Sequence, residues 1–442
     1  MGIVKENGGV HRAIKLRIYY GSLLPFGFVK VSMIRPIFFA AILVLLMAFP
    51  VAGADETTGS PPPLPVAVGE HVTADLVNLI FLFDRVVSRP PRVTTRNYLE
   101  RVSNPSSPCY RDYLEYRQRK IDRVELVNRL PHVAMLGDSL TQHFYMSALP
   151  SAFWRARNAW RENWFLDTDP DPKSVFSVYE RLERITPLVA AEYNGAGALV
   201  APSRSEEDLR KKLVRAHNLP GQGEQVLRRP RFPDLIMIWI GHNNLDWVQG
   251  LSPEERANPE NRLQEIATRF RKNYTETLQA LVNRAKTENH KVAIVVFGLA
   301  NIEAYLKARR QAQALHTQNP KLYPHFESGD RTFESLLPPY QENMARLASM
   351  LNRELQAMVS ALNAELRGFP TVRLQYSDAL TKVDLSRLEL IHPVDAWHPS
   401  EEGHKALAEA AFNAILPSVE FLGIGKESNL EGRERVSIDQ AR

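Results

Sequence analysis

Three short blocks of this chain hold side chains able to do chemistry together. Ser139 follows the apolar run His132-Val133-Ala134-Met135-Leu136 and the pair Gly137-Asp138. A buried strand, a tight turn and a possible helix start are predicted there. Such a turn lifts a hydroxyl onto the carboxyl end of a sheet, where α/β proteins bind ligands. Asn243 closes a second apolar run, in Gly241-His242-Asn243-Asn244, and His398 lies near the chain end in Asp395-Ala396-Trp397-His398-Pro399-Ser400. A serine is a poor nucleophile until a base takes its proton. His398 can be that base. Asp395, three residues earlier, can reach the other imidazole nitrogen through one tight turn, fix its tautomer and stabilise the imidazolium. The Asn243 amide and the backbone N–H groups of Ser139 and Gly197 can donate to a developing oxyanion. Together these are the parts of an acyl-transfer site. Each has a plainer reading: Ser139 as a helix cap, His398 as a structural histidine beside Trp397.

The elements that must position these residues follow from periodicity. Nearly continuous apolar runs over 132–136, 234–240, 291–297 and 371–376 read as strands buried on both faces. Between and around them, 3.6-residue spacing predicts helices over 71–87, 110–130, 174–188, 206–217, 261–288, 301–315, 333–367 and 407–416. Residues 220–233 read as a polar loop, and Arg228-Arg229-Pro230-Arg231 within it as solvated. The small residues of 189–198 suit a backbone close to a ligand. Trp154, Trp160 and Trp164 read as packing on the sheet edge or as an apolar wall beside the serine. The alternation over 131–416 predicts a three-layer α/β domain: a mostly parallel central sheet, helices on both faces and right-handed crossovers. A helical insertion at 301–340, with Tyr305, Tyr323, Phe326 and Phe333, reads either as a cover that shapes an acyl pocket or as an ordinary insertion. Residues 55–130 read as a linker and an extension packed on that domain, and 417–442 as a polar tail.

The charge of the chain argues against a nucleic-acid partner. The 442 residues carry a net +5, but Lys5, Arg12, Lys15, Arg17, Lys30 and Arg35 against Glu6 supply all of it. From residue 55 onward acidic and basic side chains are equal in number, so no basic field remains for a phosphate backbone. Cys109 is the only cysteine, which excludes an internal disulfide and a multi-cysteine zinc site. No His-Glu-x-x-His spacing occurs, and the chemistry above calls for no metal or organic cofactor. His143, His242 and His404 read as supporting or surface residues.

Residues 33–54 have the three parts of a signal peptide: Arg35, an apolar core of 13 residues from Ile37 to Phe49, and the small-x-small site Ala52-Gly53-Ala54. Translation is expected to start at Met33, with cleavage after Ala54 and a secreted or periplasmic product without a membrane span. An uncleaved signal anchor is the alternative.

Gly137-Asp138-Ser139-Leu140 is the GDSL motif verbatim, Gly241-His242-Asn243-Asn244 resembles the Gly-x-Asn-Asp block of the SGNH hydrolases, and Asp395-Ala396-Trp397-His398 matches their Asp-x-x-His block. The chain therefore resembles the GDSL/SGNH hydrolases. It is nearest their phospholipase B-like branch, whose histidine block also continues with Pro-Ser and a Gly-His pair, here Gly403-His404. The resemblance covers about residues 131–416 and implies a flavodoxin-like layout, hydrolysis of esters of lipids, sugars or small alcohols, and no cofactor. It implies Ser139, Asp395 and His398 as the catalytic residues, with Ser139, Gly197 and Asn243 forming the oxyanion hole. Asn244 stands where the family usually has Asp, and Gly195 is the alternative to Gly197. The same residues would serve an acyltransferase or a carbohydrate O-acetyl esterase. A silent binding or scaffold protein on this fold is the reading from a different class.

Overall fold

Three of the four apolar runs form the middle of a six-stranded sheet. The computed structural model describes residues 92–94, 98–141, 163–167, 175–195, 197–200, 218–323, 338–392 and 396–425. The segments 33–54, 71–87 and 206–217, and the residues His143, Trp154, Trp160, Phe326, Phe333 and Asp395, lie outside the described residues. The strands are β1 (Arg92–Thr94), β2 (His132–Gly137), β3 (Val189–Glu192), β4 (Leu235–Trp239), β5 (Val292–Phe297) and β6 (Val372–Ser377). Their order across the sheet is β1-β3-β2-β4-β5-β6. All neighbours pair in parallel except β1, which runs antiparallel to β3 at the edge. From β2 the chain goes first to one side and then returns to build the other. The switch point between β2 and β4 therefore opens at the ends that carry Gly137 and Trp239.

Both faces of the central strands are apolar because side chains alternate. Ala134, Leu136, Ile236, Ile238, Ile294 and Val296 point to one face, and Val133, Met135, Leu235, Met237, Val295 and Phe297 to the other. The helices are α1 (Tyr98–Val102), α2 (Tyr110–Arg117), α3 (Arg123–Arg129), α4 (Val178–Ile185), α5 (Leu219–Leu227), α6 (Pro253–Ala257), α7 (Glu260–Thr287), α8 (Ile302–Gln318), α9 (Pro338–Glu365) and α10 (Glu401–Leu422). The first face is covered by α5, α7 and α9 and the second by α4 and α10. This is the three-layer arrangement expected. Among the described residues no helix is long and apolar enough to cross a membrane.

Several elements differ from the sequence reading. The polar loop expected over 220–233 begins as α5, with Pro220 in its first turn. Gly221 and Gly223 conceal that helix, yet a Cβ on Gly223 would lie 2.7 Å from Thr277 Cγ2 of α7, so the close crossing requires a glycine. Half-buried Arg231 is not solvated either: it bonds Asp234 at 2.8 Å and the Asn128 carbonyl at 3.1 Å. The single helix expected over 110–130 is two helices, because Arg119 takes φ 58° and Asp122 caps α3 by accepting the Glu125 N–H. The first part of 189–198 is strand β3, whose alanines carry little strand signal. Trp164 packs on the sheet face, edge-on to Trp239 and Phe297 at 5.8 and 6.2 Å, not at the edge.

The N-terminal end of the sheet holds a titratable brace. Asp234 accepts the His132 backbone N–H at 2.7 Å, and the His132 ring donates through Nε2 to the Val127 carbonyl at 3.1 Å. Burial pushes the His132 imidazole from 6.5 down to about 4, partly offset by that bond to Val127. The unfolded chain therefore takes up a proton that the folded chain refuses. His132 costs nothing above about pH 6.5 and destabilises the fold increasingly as pH falls toward 4, by about 3 kcal/mol there. His132→Gln, which keeps a donor for Val127, should flatten that part of the loss. Urea denaturation of both proteins at pH 7 and pH 4.5 checks this: the difference in unfolding free energy between them should move in favour of the variant at the lower pH.

Candidate active site

The Ser139 turn is built by saturating the polar groups around it. A Cβ on Gly137 would lie 2.3 Å from Thr141 Cγ2, so only glycine lets the chain fold back this tightly. Gln222 of α5 clamps this glycine on both sides: it accepts the Gly137 N–H and donates to the Gly137 carbonyl, each at 2.8 Å. One oxygen of the Asp138 carboxylate accepts the Leu140 N–H at 3.0 Å, and the Asp138 carbonyl accepts the Thr141 hydroxyl at 2.7 Å. Ser139–Thr141 then form a 3-10 turn, and the helix expected to run on from it falls on residues outside the described ones. Ser139 is buried, and neither its hydroxyl nor its backbone N–H bonds a described residue.

The end of β4 is bound to the same carboxylate. The other oxygen of Asp138 accepts the backbone N–H groups of Gly241 and His242 at 3.2 Å each, and His242 Nδ1–H at 2.9 Å. Gly241 has φ 132°, and a Cβ there would meet Phe270 at 2.8 Å. Asn243 follows, half-buried, and donates one amide hydrogen to the Ala198 carbonyl at 3.0 Å. A second hydrogen remains on that nitrogen. Asn244 is fully buried, and its Oδ1 accepts the Val200 N–H at 2.9 Å. An amide oxygen thus does there what a carboxylate oxygen could do, without a buried charge.

The glycine block lies beside these two turns. Gly195 N–H is spent on the Gly137 carbonyl at 3.1 Å. Gly197 has φ 67°, and its N–H donates to no described backbone carbonyl. Asn194 donates to the Thr141 carbonyl at 3.2 Å and to Glu192 at 3.4 Å, which ties the end of β3 to the Ser139 turn.

His398 comes from the loop before α10. Its carbonyl accepts the His392 N–H at 2.7 Å, and the Ala396 N–H donates to the His392 carbonyl at 3.0 Å. Ala396 takes φ 52°, a strained value for a residue with a side chain. Arg309 of α8 holds it there by donating to the Ala396 carbonyl at 2.9 Å, with the guanidinium 5.0 Å from the Trp397 ring centroid. Tyr305 of α8 meets the same indole edge-on at 5.1 Å. Ser400 caps α10 by accepting the Gly403 N–H at 3.1 Å. His398 itself is buried.

Ser139, Gly197 and Asn243 thus sit on neighbouring strand ends at the switch point, joined through Asp138, Gly137 and Ala198. His398 sits in a loop braced by α8, and Asp395 is outside the described residues. Sequence reasoning missed Gln222, hidden in the expected loop, and Arg309, within the helix expected over 301–315. His404 is a supporting residue: buried, it accepts the Trp164 N–H through Nδ1 at 3.3 Å.

The chain belongs to the GDSL-like lipase/acylhydrolase family, whose model matches residues 133–411, and it is an ester-cleaving serine hydrolase. Solved structures similar to it include the lipase Lip_vut3 from a goat rumen metagenome: 16% identity over 64% of this chain and 97% of that one, TM-score 0.33. A catalytic mutant of the acetylxylan esterase Axe2 from Geobacillus stearothermophilus has 18% identity over 69% and 97%, TM-score 0.31. An acetyl esterase mutant with acetate ion has 13% identity over 66% and 99%, TM-score 0.30. Among curated proteins none matches.

The Asp138 hub makes a direct prediction. Asp138→Asn places an NH2 group against either the Leu140 N–H or the donors from residues 241 and 242, donor facing donor. The cost should be about 2–4 kcal/mol, a charged acceptor being lost in a buried site. Urea denaturation should show a lower midpoint for Asp138→Asn at unchanged slope, the slope times the midpoint shift giving that loss.

Proposed function

We propose that Ser139 is the nucleophile, His398 its general base and Asp395 the carboxylate that orients His398, with Ser139 N–H, Gly197 N–H and the Asn243 amide as oxyanion donors. The observation that carries this reading is the Ser139 turn. Its neighbours' polar groups are committed to one another, while the Ser139 hydroxyl and N–H bond no described residue. Gly197 is preferred to Gly195 because the Gly195 N–H already serves Gly137.

In this mechanism His398 takes the Ser139 proton as Oγ attacks the ester carbonyl. The three donors hold the tetrahedral oxyanion. His398 returns the proton to the leaving alcohol, and an acyl-serine remains. Water then gives a proton to the same imidazole and attacks the acyl carbon. The acid departs and Ser139 is reprotonated. The substrates are carboxylic esters of lipids or of small acyl groups, and 33–54 directs the chain to export.

A fluorophosphonate probe and p-nitrophenyl acetate, butyrate and palmitate test the assignment. Labelling and turnover should both vanish in Ser139→Ala while the fold is kept. Asn243→Ala should lower kcat by about 100- to 1,000-fold, the usual effect of losing one oxyanion donor. The ester chain-length profile separates a lipid-sized pocket from a small one. Turnover that survives in Ser139→Ala would sink the assignment.

A further inference from the structure

Besides the pair proposed for proton transfer, the site holds a second acid–imidazole pair, Asp138 with His242. Both side chains are buried, and the imidazole is wedged edge-on against Trp239 at 4.8 Å between ring centroids. Its two nitrogens face opposite kinds of partner. Nδ1 lies 2.9 Å from an Asp138 oxygen, which can only accept. Nε2 lies 3.2 Å from the Ala300 backbone nitrogen, which can only donate. One tautomer satisfies both: neutral imidazole with hydrogen on Nδ1 and a lone pair on Nε2. The Nε2–H tautomer and the imidazolium would each set N–H against N–H at Ala300. The buried Trp239 indole, held by its own bond to the Gly298 carbonyl at 2.9 Å, limits rotation of the ring out of this frame.

The Asp138 oxygen that takes Nδ1–H also takes the backbone N–H groups of Gly241 and His242. Asp138 precedes Ser139 in the chain, and His242 precedes Asn243. Three donors converging on one oxygen therefore set the spacing between the nucleophile turn and the oxyanion turn. The side chain of His242 is the only one of the three that a substitution can remove.

We propose that His242 is a positioning residue for ester cleavage, locked as the neutral Nδ1–H tautomer. Its bond to Asp138, and not its bond to Ala300, holds Asn243 in register with Ser139. The proposal rests on the Ser139–Asn243 assignment above. It adds an imidazole that takes no part in proton transfer and acts through Asp138.

Two substitutions separate the two bonds. His242→Asn puts an amide near the position of Nδ1 and can still donate to Asp138, but does not reach Ala300. His242→Gln puts an amide oxygen near the position of Nε2 and can still accept from Ala300, but leaves Asp138 one donor short. With p-nitrophenyl acetate and the full chain, kcat should fall in the order wild type, Asn, Gln. The Gln variant should lie about tenfold below the Asn variant at little-changed KM, the signature of an interaction made in the transition state. Selective 15N-histidine labelling reads the tautomer of the wild type directly, the His242 signal being assigned by its loss in either variant. A neutral ring protonated at Nδ1 is expected. A ring protonated at Nε2 or at both nitrogens overturns the proposal, as does a Gln variant that matches the Asn variant or loses only in KM. A wild type that neither labels nor turns over overturns the Ser139 assignment instead, and the tautomer still decides the state of His242. Thermal melts of both variants show whether a lost kcat is lost fold; if both melt early, the wild-type spectrum and the labelling rate of the remaining folded fraction decide.

Discussion

A carboxylate taken fully out of water must have its charge answered on every side, and Asp138 is the place where this chain meets that demand. Its two oxygens take four N–H donors, from Leu140, Gly241, His242 and the His242 ring. Missing donors would be costly, because an unpaired buried charge loses its hydration with nothing in exchange. The turns after β2 and β4 are therefore not independent loops. Each is shaped by what the carboxylate needs, and the residues that follow in each turn, Ser139 and Asn243, inherit that geometry.

The sheet makes this junction possible. The strand order places β2 beside both β3 and β4, so three carboxyl ends come together where the winding reverses. Glycines allow the backbones to meet. Gly137 accommodates Thr141, Gly241 accommodates Phe270 and takes φ 132°, and Gly195 donates to Gly137. Gln222 of α5 and Arg309 of α8 then brace the turns from outside the sheet. Neither is needed as a reacting group. Each satisfies backbone groups that the irregular turns leave without a ladder partner.

Regular elements were readable where the apolar pattern was long or continuous. The runs ending at Gly137, Ile240 and Phe297 are strands because branched and large apolar residues fill both faces, and α7 follows the stripe from Ile266 through Ala285. The reading failed where small or polar residues carried the element. Val189-Ala190-Ala191-Glu192 has too little strand signal to stand out beside its glycines. In α5, Gly221 and Gly223 look like a loop and become intelligible only through the crossing with Thr277 of α7. Arg231 looked like a solvated charge until Asp234 and Asn128 were seen beside it.

The sequence by itself determined the class of the protein: which runs are strands, their alternation with helices, and three short blocks whose residue types suit acyl transfer. These are local properties, written in periodicity and in residue identity over a few positions. The tertiary structure alone decided which polar groups face one another across the strand ends. Gln222 on Gly137, Ala300 on His242, Asn243 on Ala198 and Arg309 on Ala396 join residues 45 to 87 positions apart. The pattern around one residue does not encode such pairings. They arise because burial forbids any donor or acceptor to remain unmatched, and only the packed fold shows which partner is within reach.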